Sequence, residues 1–374
     1  MSMITMPGLR LGTRIIPMPV IQGGMGVGIS LAGLASAVAR EGGIGVISSV
    51  GIGEGELDVK TNYNAAHKRA LIREIEKARA TGNGGAIGVN IMVALTDFDA
   101  HVEGAVEAKA DFVFMGAGLP QRFPESLPLD DLNSLHTRFV PIVSSAKATQ
   151  VILRCWSSRY KYTPDMVVVE GPLAGGHLGF RPEQIDDPAY ALEKLVAQIL
   201  EALKPYEDKA GRKIALVAGG GVFSGADIHR ILSLGASGVQ MATRFVTTTE
   251  CDADPEFKKA YIDCTREDLM IIKSPVGLPG RAIRNRFLEE VEAGGRVPYT
   301  CPWKCLRTCD VVNSPYCIAN ALVEAKLGRF EHGFAFAGAN AWQTKEIVSV
   351  KELFAALTRE YAAAVAANGA ARGN

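Results

Sequence analysis

The chain has no excess of charge of either sign. Its 374 residues carry 40 Lys+Arg against 40 Asp+Glu, and no basic stripe marks a nucleic-acid or anionic-membrane partner. No apolar run reaches the ~18 residues that a transmembrane helix needs, so no membrane partner is expected. Residues 1–14 lack an apolar core and a cleavage site; no signal peptide is read there, and a cytoplasmic location follows by default. No G-x-G-x-x-G follows the first strand-like run, and no G-x-x-x-x-G-K-[ST] loop occurs, which argues against an open dinucleotide-binding sheet and a P-loop. No internal repeat appears at solenoid periods. What is present is ordinary for a large globular core: 48% hydrophobic and 21% charged residues.

Short β-branched runs recur at residues 20–22, 44–48, 87–91, 112–115, 140–143, 166–170, 214–218 and 238–241. Helix-like segments alternate with them, among them residues 31–40 with Ser30 as N-cap and a charged stretch at 68–80. Eight buried-type strands alternating with helices predict a (β/α)₈ TIM barrel. Nearly every run ends in Gly, Ser or a polar residue, on the face where such barrels place their active sites. Residues 251–344 lose the rhythm and are rich in proline, Pro275, Pro279, Pro298, Pro302 and Pro315 among them, with a cluster of four cysteines at 301–317, which predicts a smaller lid or substrate subdomain; residues 1–250 and 345–374 then form the barrel. The last helix is expected over 350–367, with a frayed tail at 368–374.

The sixth run leads into Glu170-Gly171-Pro172-Leu173-Ala174-Gly175-Gly176-His177. A glycine turn at a strand end lets a ligand approach bare backbone, and a histidine there titrates near neutrality. The bland alternative is a tight turn with a hydrogen-bonded histidine. The seventh and eighth runs end in Gly219-Gly220-Gly221 and Gln240-Met241-Ala242-Thr243, the loops that bind phosphate in many barrels.

These stretches, with Gln22-Gly23-Gly24-Met25-Gly26, Gly88-Val89-Asn90 and Gly280-Arg281-Ala282-Ile283-Arg284-Asn285, resemble the nitronate monooxygenase family, once called 2-nitropropane dioxygenases. Flavin-dependent enoyl-ACP reductases are close relatives of that family. The resemblance implies FMN as cofactor. It implies that Asn90 and Glu170 meet the flavin ring, Glu170 standing where Gln is usual, and that Gln22, Gly23, Gly24 and Met25 lie beside it. It implies backbone contacts from Gly175, Gly176, Gly220 and Gly221, a phosphate loop from Gln240, Met241, Ala242 and Thr243, and His177 as catalytic base. The reaction it implies is oxidation of alkyl nitronates or nitroalkanes. The alternatives are NAD(P)H-dependent reduction of an enoyl thioester or quinone, and a flavin/cysteine redox sensor.

Lys147, Arg281 and Arg284 are candidates for anchoring an anionic small-molecule substrate, with surface or salt-bridging roles as the alternative. His67, His101, His136 and His229 fall in charged segments and are read as surface residues; His332, in the lid, is a further candidate for the mouth. Cys301, Cys305, Cys309 and Cys317 offer the four soft ligands of an iron–sulfur cluster or zinc site, although the spacing matches neither common pattern. A redox disulfide or free thiols are the other readings, and Pro302 argues against one continuous helix through them. The oligomeric state is open, with a homodimer as the candidate.

Overall fold

The computed structural model describes residues 5–301 and 304–372. The chain opens with a hairpin, β1 (Leu9–Leu11) and β2 (Arg14–Ile16). Strands and helices then alternate: β3 (Val20–Gln22), α1 (Ala32–Arg40), β4 (Ile44–Ser48), α2 (Tyr63–Thr81), β5 (Ala86–Met92), α3 (Phe98–Glu107), β6 (Phe112–Gly116), β7 (Arg138–Val143), α4 (Ala146–Arg159) and β8 (Met166–Glu170). After the two-residue β9 (Gly176–His177) come α5 (Leu192–Ala210), β10 (Ala215–Gly219), α6 (Gly225–Ser233), β11 (Gly238–Met241), α7 (Thr243–Val246) and α8 (Pro255–Asp263). The remainder holds β12 (Leu269–Lys273), β13 (Pro279–Ile283), α9 (Arg286–Glu292), α10 (Ile318–Lys326) and α11 (Val350–Arg372).

The eight strands β3 to β8, β10 and β11 close into a parallel barrel, sealed where Val239 pairs with Val20. The predicted TIM barrel is therefore the observed fold, and each of the eight runs is one of its strands. The strands are buried on both faces, as all-parallel sheets require. Residues on one face, among them Ile21, Val46, Phe114, Val140, Val168 and Val217, fill the lumen. Leu9, Leu11 and Ile16 of the N-terminal hairpin join that cluster and plug the barrel. The opposite faces pack against the helices in a larger outer core.

Residues 251–344 contribute to two cores. Phe257, Tyr261 and Cys264 belong to the outer core of the barrel, and Ile283, Ala325, Ala335, Ala337 and Ala341 beyond α8 also join it. Met270, Ile272, Ala282, Phe287, Leu306, Tyr316, Ile318 and Phe334 form a separate small core, which meets the β5–α3 loop through Leu95.

Three local expectations are corrected. Ser30 does not cap α1; its hydroxyl accepts from the Met25 N–H at 2.9 Å, and the carboxylate of Asp252 takes the Leu31 N–H at 2.9 Å instead. Helix α2 begins at Tyr63, a full turn before the predicted start, and so includes His67. Helix α11 continues to Arg372 rather than fraying at 368, because its alanines carry high helix propensity; residues 373–374 lie outside the described residues, as does Pro302. Among the described residues no helix is long and apolar enough to cross a membrane.

Candidate active site

The strand ends bring the predicted stretches together on one face. Gly23 and Gly24 follow β3. A Cβ on Gly24 would sit 2.4 Å from the Asn90 Cβ, and one on Gly23 would sit 3.3 Å from the Gln240 side chain. Glycine at both positions lets the ends of β3, β5 and β11 converge. Gly23 donates to the Met241 carbonyl at 2.8 Å, while the Met241 side chain is buried in the outer core. The Gln22 side chain also points inward. It is fully buried, donates to the Gly23 carbonyl and accepts from the Val46 N–H at 2.9 Å, so it braces the strand end rather than reaching a ligand.

Beyond β10, Gly220 and Gly221 adopt φ of +97° and +88°, a conformation that costs glycine little. Their turn lies against the Gly171–Leu173 turn: a Cβ on Gly220 would meet the Gly171 carbonyl at 2.7 Å. Asn340 donates to the Gly221 carbonyl at 2.7 Å, and the Gly338 N–H donates to Thr243 Oγ1 at 3.2 Å. The N–H groups of Gly220, Gly221, Val222 and Ala242 find no acceptor among the described residues. Four unpaired donors on two adjacent strand ends make a cradle suited to a phosphate.

His177 reaches this face by an unforeseen route. As part of β9 it pairs antiparallel with β13, His177 opposite Gly280 and Gly176 opposite Arg281, so β12, β13 and β9 form a three-stranded sheet over the barrel mouth. Its Nε2 lies 2.7 Å from Ser274 Oγ, and its ring meets Phe336 edge-on at 5.0 Å. Burial pushes the imidazole down to about 4, so it is neutral at physiological pH. Glu170, half-buried at the end of β8, is pushed in the opposite direction, up to about 7, by loss of solvent. A carboxyl that is largely uncharged at pH 6 needs no neighbouring cation, and Lys147, exposed in the first turn of α4, supplies none.

Arg281 was expected to bind an anionic substrate, and the structure gives it a different task. Its side chain is buried and donates to the carbonyls of Pro172 at 2.6 Å and Ala174 at 2.9 Å, bolting the hairpin onto the turn that carries His177. Arg284 is exposed and lines a surface hollow together with Asp268 and Asp263. Gly175 is roofed by backbone, since a Cβ there would lie 2.6 Å from the Ala337 carbonyl carbon, whereas Gly176 faces open space. His332 is exposed next to Glu331.

The four cysteines between residues 301 and 317 are free thiols. Residues 301–309 run as loop and turn, apart from the undescribed 302–303, so the one-helix-face arrangement does not occur among the described residues. The Lys304 N–H donates to Cys301 Sγ at 3.3 Å, Tyr299 Oη lies 3.8 Å from Cys309 Sγ, and Cys317 precedes α10. No three of these sulfurs converge within 4.8 Å.

Sequence reasoning missed Ser274, Phe336, Gly338 and Asn340, which hold the histidine and the glycine turn. It also placed His67 and His101 on the surface, and both are fully buried. Their charged neighbours suggested exposure, but the two rings point between α2 and α3. The i, i+4 spacing of Asp97 and His101 at a helix start was the available signal.

A sequence model of the family described as nitronate monooxygenase matches residues 10–360. The chain belongs to that family. Nitronate monooxygenase family membership makes it an oxidoreductase. Among curated relatives, a probable nitronate monooxygenase of Staphylococcus saprophyticus is 24% identical over 310 residues, covering 76% of this chain and 81% of that one. A Mycobacterium tuberculosis protein named (3aS,4S,5R,7aS)-5-hydroxy-7a-methyl-1-oxo-octahydro-1H-indene-4-carboxyl-CoA dehydrogenase is 26% identical over 278 residues, covering 74% of this chain and 66% of that relative. The match thus spans just under two thirds of the M. tuberculosis protein's length. FabK from Thermotoga maritima superposes with a TM-score of 0.71 at 24% identity, over 95% of this chain and 96% of its own. Nitroalkane oxidase from Streptomyces ansochromogenes gives 0.71 at 22%, over 94% and 98%. These two likenesses show the shared fold of the nitronate monooxygenase family member described here.

Proposed function

We propose that the chain is an FMN-dependent oxidoreductase that oxidises alkyl nitronates or nitroalkanes, with His177 as its base. The observation that carries the reading is a neutral imidazole, half-buried between the glycine turns and held by Ser274. When bound, FMN supplies the redox chemistry. The chain's own groups do the rest. The N–H groups of Gly220, Gly221, Val222 and Ala242, with the Thr243 hydroxyl, would hold the phosphate. Asn90 and Glu170, at the ends of β5 and β8, would line the ring. With Nε2–H donating to Ser274, Nδ1 of His177 keeps its lone pair and would take the α-proton of a neutral nitroalkane.

Replacing His177 by Asn tests this role. Bound FMN should be retained, because the cradle is elsewhere, and turnover of a neutral nitroalkane should fall ~10²-fold or more, with a smaller loss for the preformed nitronate. Equal turnover by variant and wild type would overturn the assignment. Gly221→Asp should empty the flavin site by placing a carboxylate against the phosphate, read as loss of the yellow chromophore in a folded protein. A second reading, NAD(P)H-dependent reduction of an enoyl thioester or quinone, draws on the M. tuberculosis relative, whose name specifies a carboxyl-CoA compound. Anaerobic bleaching of the flavin by NADH or NADPH separates the two readings.

A further inference from the structure

We propose that His67, Asp97 and His101 form a divalent-metal site between α2 and α3, with zinc as the ion its donors suit. Asp97 ends the loop after β5 and is the N-cap residue of α3; His101 follows four residues later, and His67 comes across from α2. Asp97 Oδ2 lies 2.7 Å from His67 Nδ1 and 3.3 Å from His101 Nε2. The two imidazoles stack at 5.7 Å with 9° between their planes, so both present an edge to one carboxylate. One donor atom from each of the three residues lies within 4.8 Å of the other two, the only such group of three among the described residues. Bonds of ~2.0–2.1 Å about a tetrahedral zinc place its ligand atoms roughly 3.3 Å apart, so an ion enters this arrangement with small side-chain adjustments.

Burial supplies a second, independent argument. The three side chains are 0–1% exposed. His67 Nε2, Asp97 Oδ1 and both ring nitrogens of His101 have no hydrogen-bond partner. Each such group costs about 1–3 kcal/mol when left unsatisfied, and a carboxylate costs more. An ion bound through His67 Nδ1, Asp97 Oδ2 and His101 Nε2 would partner the stranded His101 Nε2, and a water on that ion would donate to the free Asp97 Oδ1. Two imidazoles and one carboxylate leave one tetrahedral position for that water, the three-ligand pattern of open zinc sites.

The site is separate from the flavin cradle and uses no cysteine. It does abut the cysteine loop: the Thr96 N–H donates to the Cys305 carbonyl at 3.1 Å, and Leu95 forms a β-bridge with Leu306. An ion here would pin α2 to α3 and fix the ledge on which that loop rests.

The test uses the full-length protein with any affinity tag removed. Metal analysis of the purified protein, and zinc titration after chelator stripping, should each give one equivalent that survives Cys305→Ser/Cys309→Ser. His101→Gln and Asp97→Asn should weaken zinc binding more than ~100-fold, beyond the loss typical of an outer-shell change, and abolish the zinc-dependent rise in melting temperature. Bound flavin should be unchanged in both. If either variant fails to fold, the outcome is read from the cysteine double variant alone. Failure of stripped wild type to take up zinc, or uptake that disappears with the cysteines and persists in His101→Gln, would overturn the proposal. Flavin content tracks the functional reading separately, so the two can fail independently.

Discussion

Glu170 and His177 depart from their ordinary ionisation in opposite directions for one reason: both have lost water, and each favours its uncharged form. The consequences for stability have opposite signs. The folded-state value for Glu170, about 7, lies above its unfolded value, so its contribution is complete below about 4.5 and is lost as pH rises through 7. Glu170→Gln should therefore match wild type near pH 4 and exceed it above pH 7, by on the order of 2 kcal/mol, in denaturant melts across that range. For His177 the folded value is depressed to about 4, so unfolding is favoured as pH falls through 6.5. His177→Asn should gain on wild type below pH 6 and match it at pH 8. In catalysis, the acid limb of the nitroalkane pH–rate profile should lie at about 4, well under the usual imidazole range. The residues themselves were legible in the sequence: a histidine among glycines at a strand end, and a carboxylate at the end of the same strand. Their ionisation was not, because burial is a property of the assembled face.

At the scale of elements, the eight barrel strands were legible because each is a continuous β-branched run, the mark of strands buried on both faces. The sheet over the mouth was not. Its third strand is two residues long and exists only because β13, about 100 positions later, pairs with it. No local pattern carries such a partner. Arg281 fastens this sheet to the glycine turn, and it looked like a ligand-binding residue because the sequence cannot show that two carbonyls already claim it. Arg281→Met keeps the bulk and removes the donors, leaving two buried carbonyls unsatisfied. It should cost about 2–3 kcal/mol in a denaturant melt and lower turnover more than flavin content. Unchanged turnover in the folded variant would show that the hairpin seats His177 without it. The cap of α1 makes the same point, since Asp252 reaches it from across the chain while Ser30 lies next to it.

The whole molecule is a barrel closed at both ends by different means. The N-terminal hairpin seals one end with Leu9, Leu11 and Ile16, all packed into the lumen. Leu9→Ala should cost about 2–5 kcal/mol through the cavity it leaves, while flavin binding at the opposite face persists in whatever fraction remains folded. The hairpin was not anticipated, because three-residue strands carry too little periodicity to stand out. The other end is covered by the sheet of β12, β13 and β9, and that sheet includes the proposed base. The barrel supplies the cradle, and the cover supplies the imidazole. A hairpin swung aside by one strand width would leave the cradle's donors where they are and take His177 with it. If His177 is the base proposed above, a substrate entering the open mouth would then meet no group to deprotonate it. On the proposed reading the cover would act as an interlock, since the base and the roof over the cradle are one sheet.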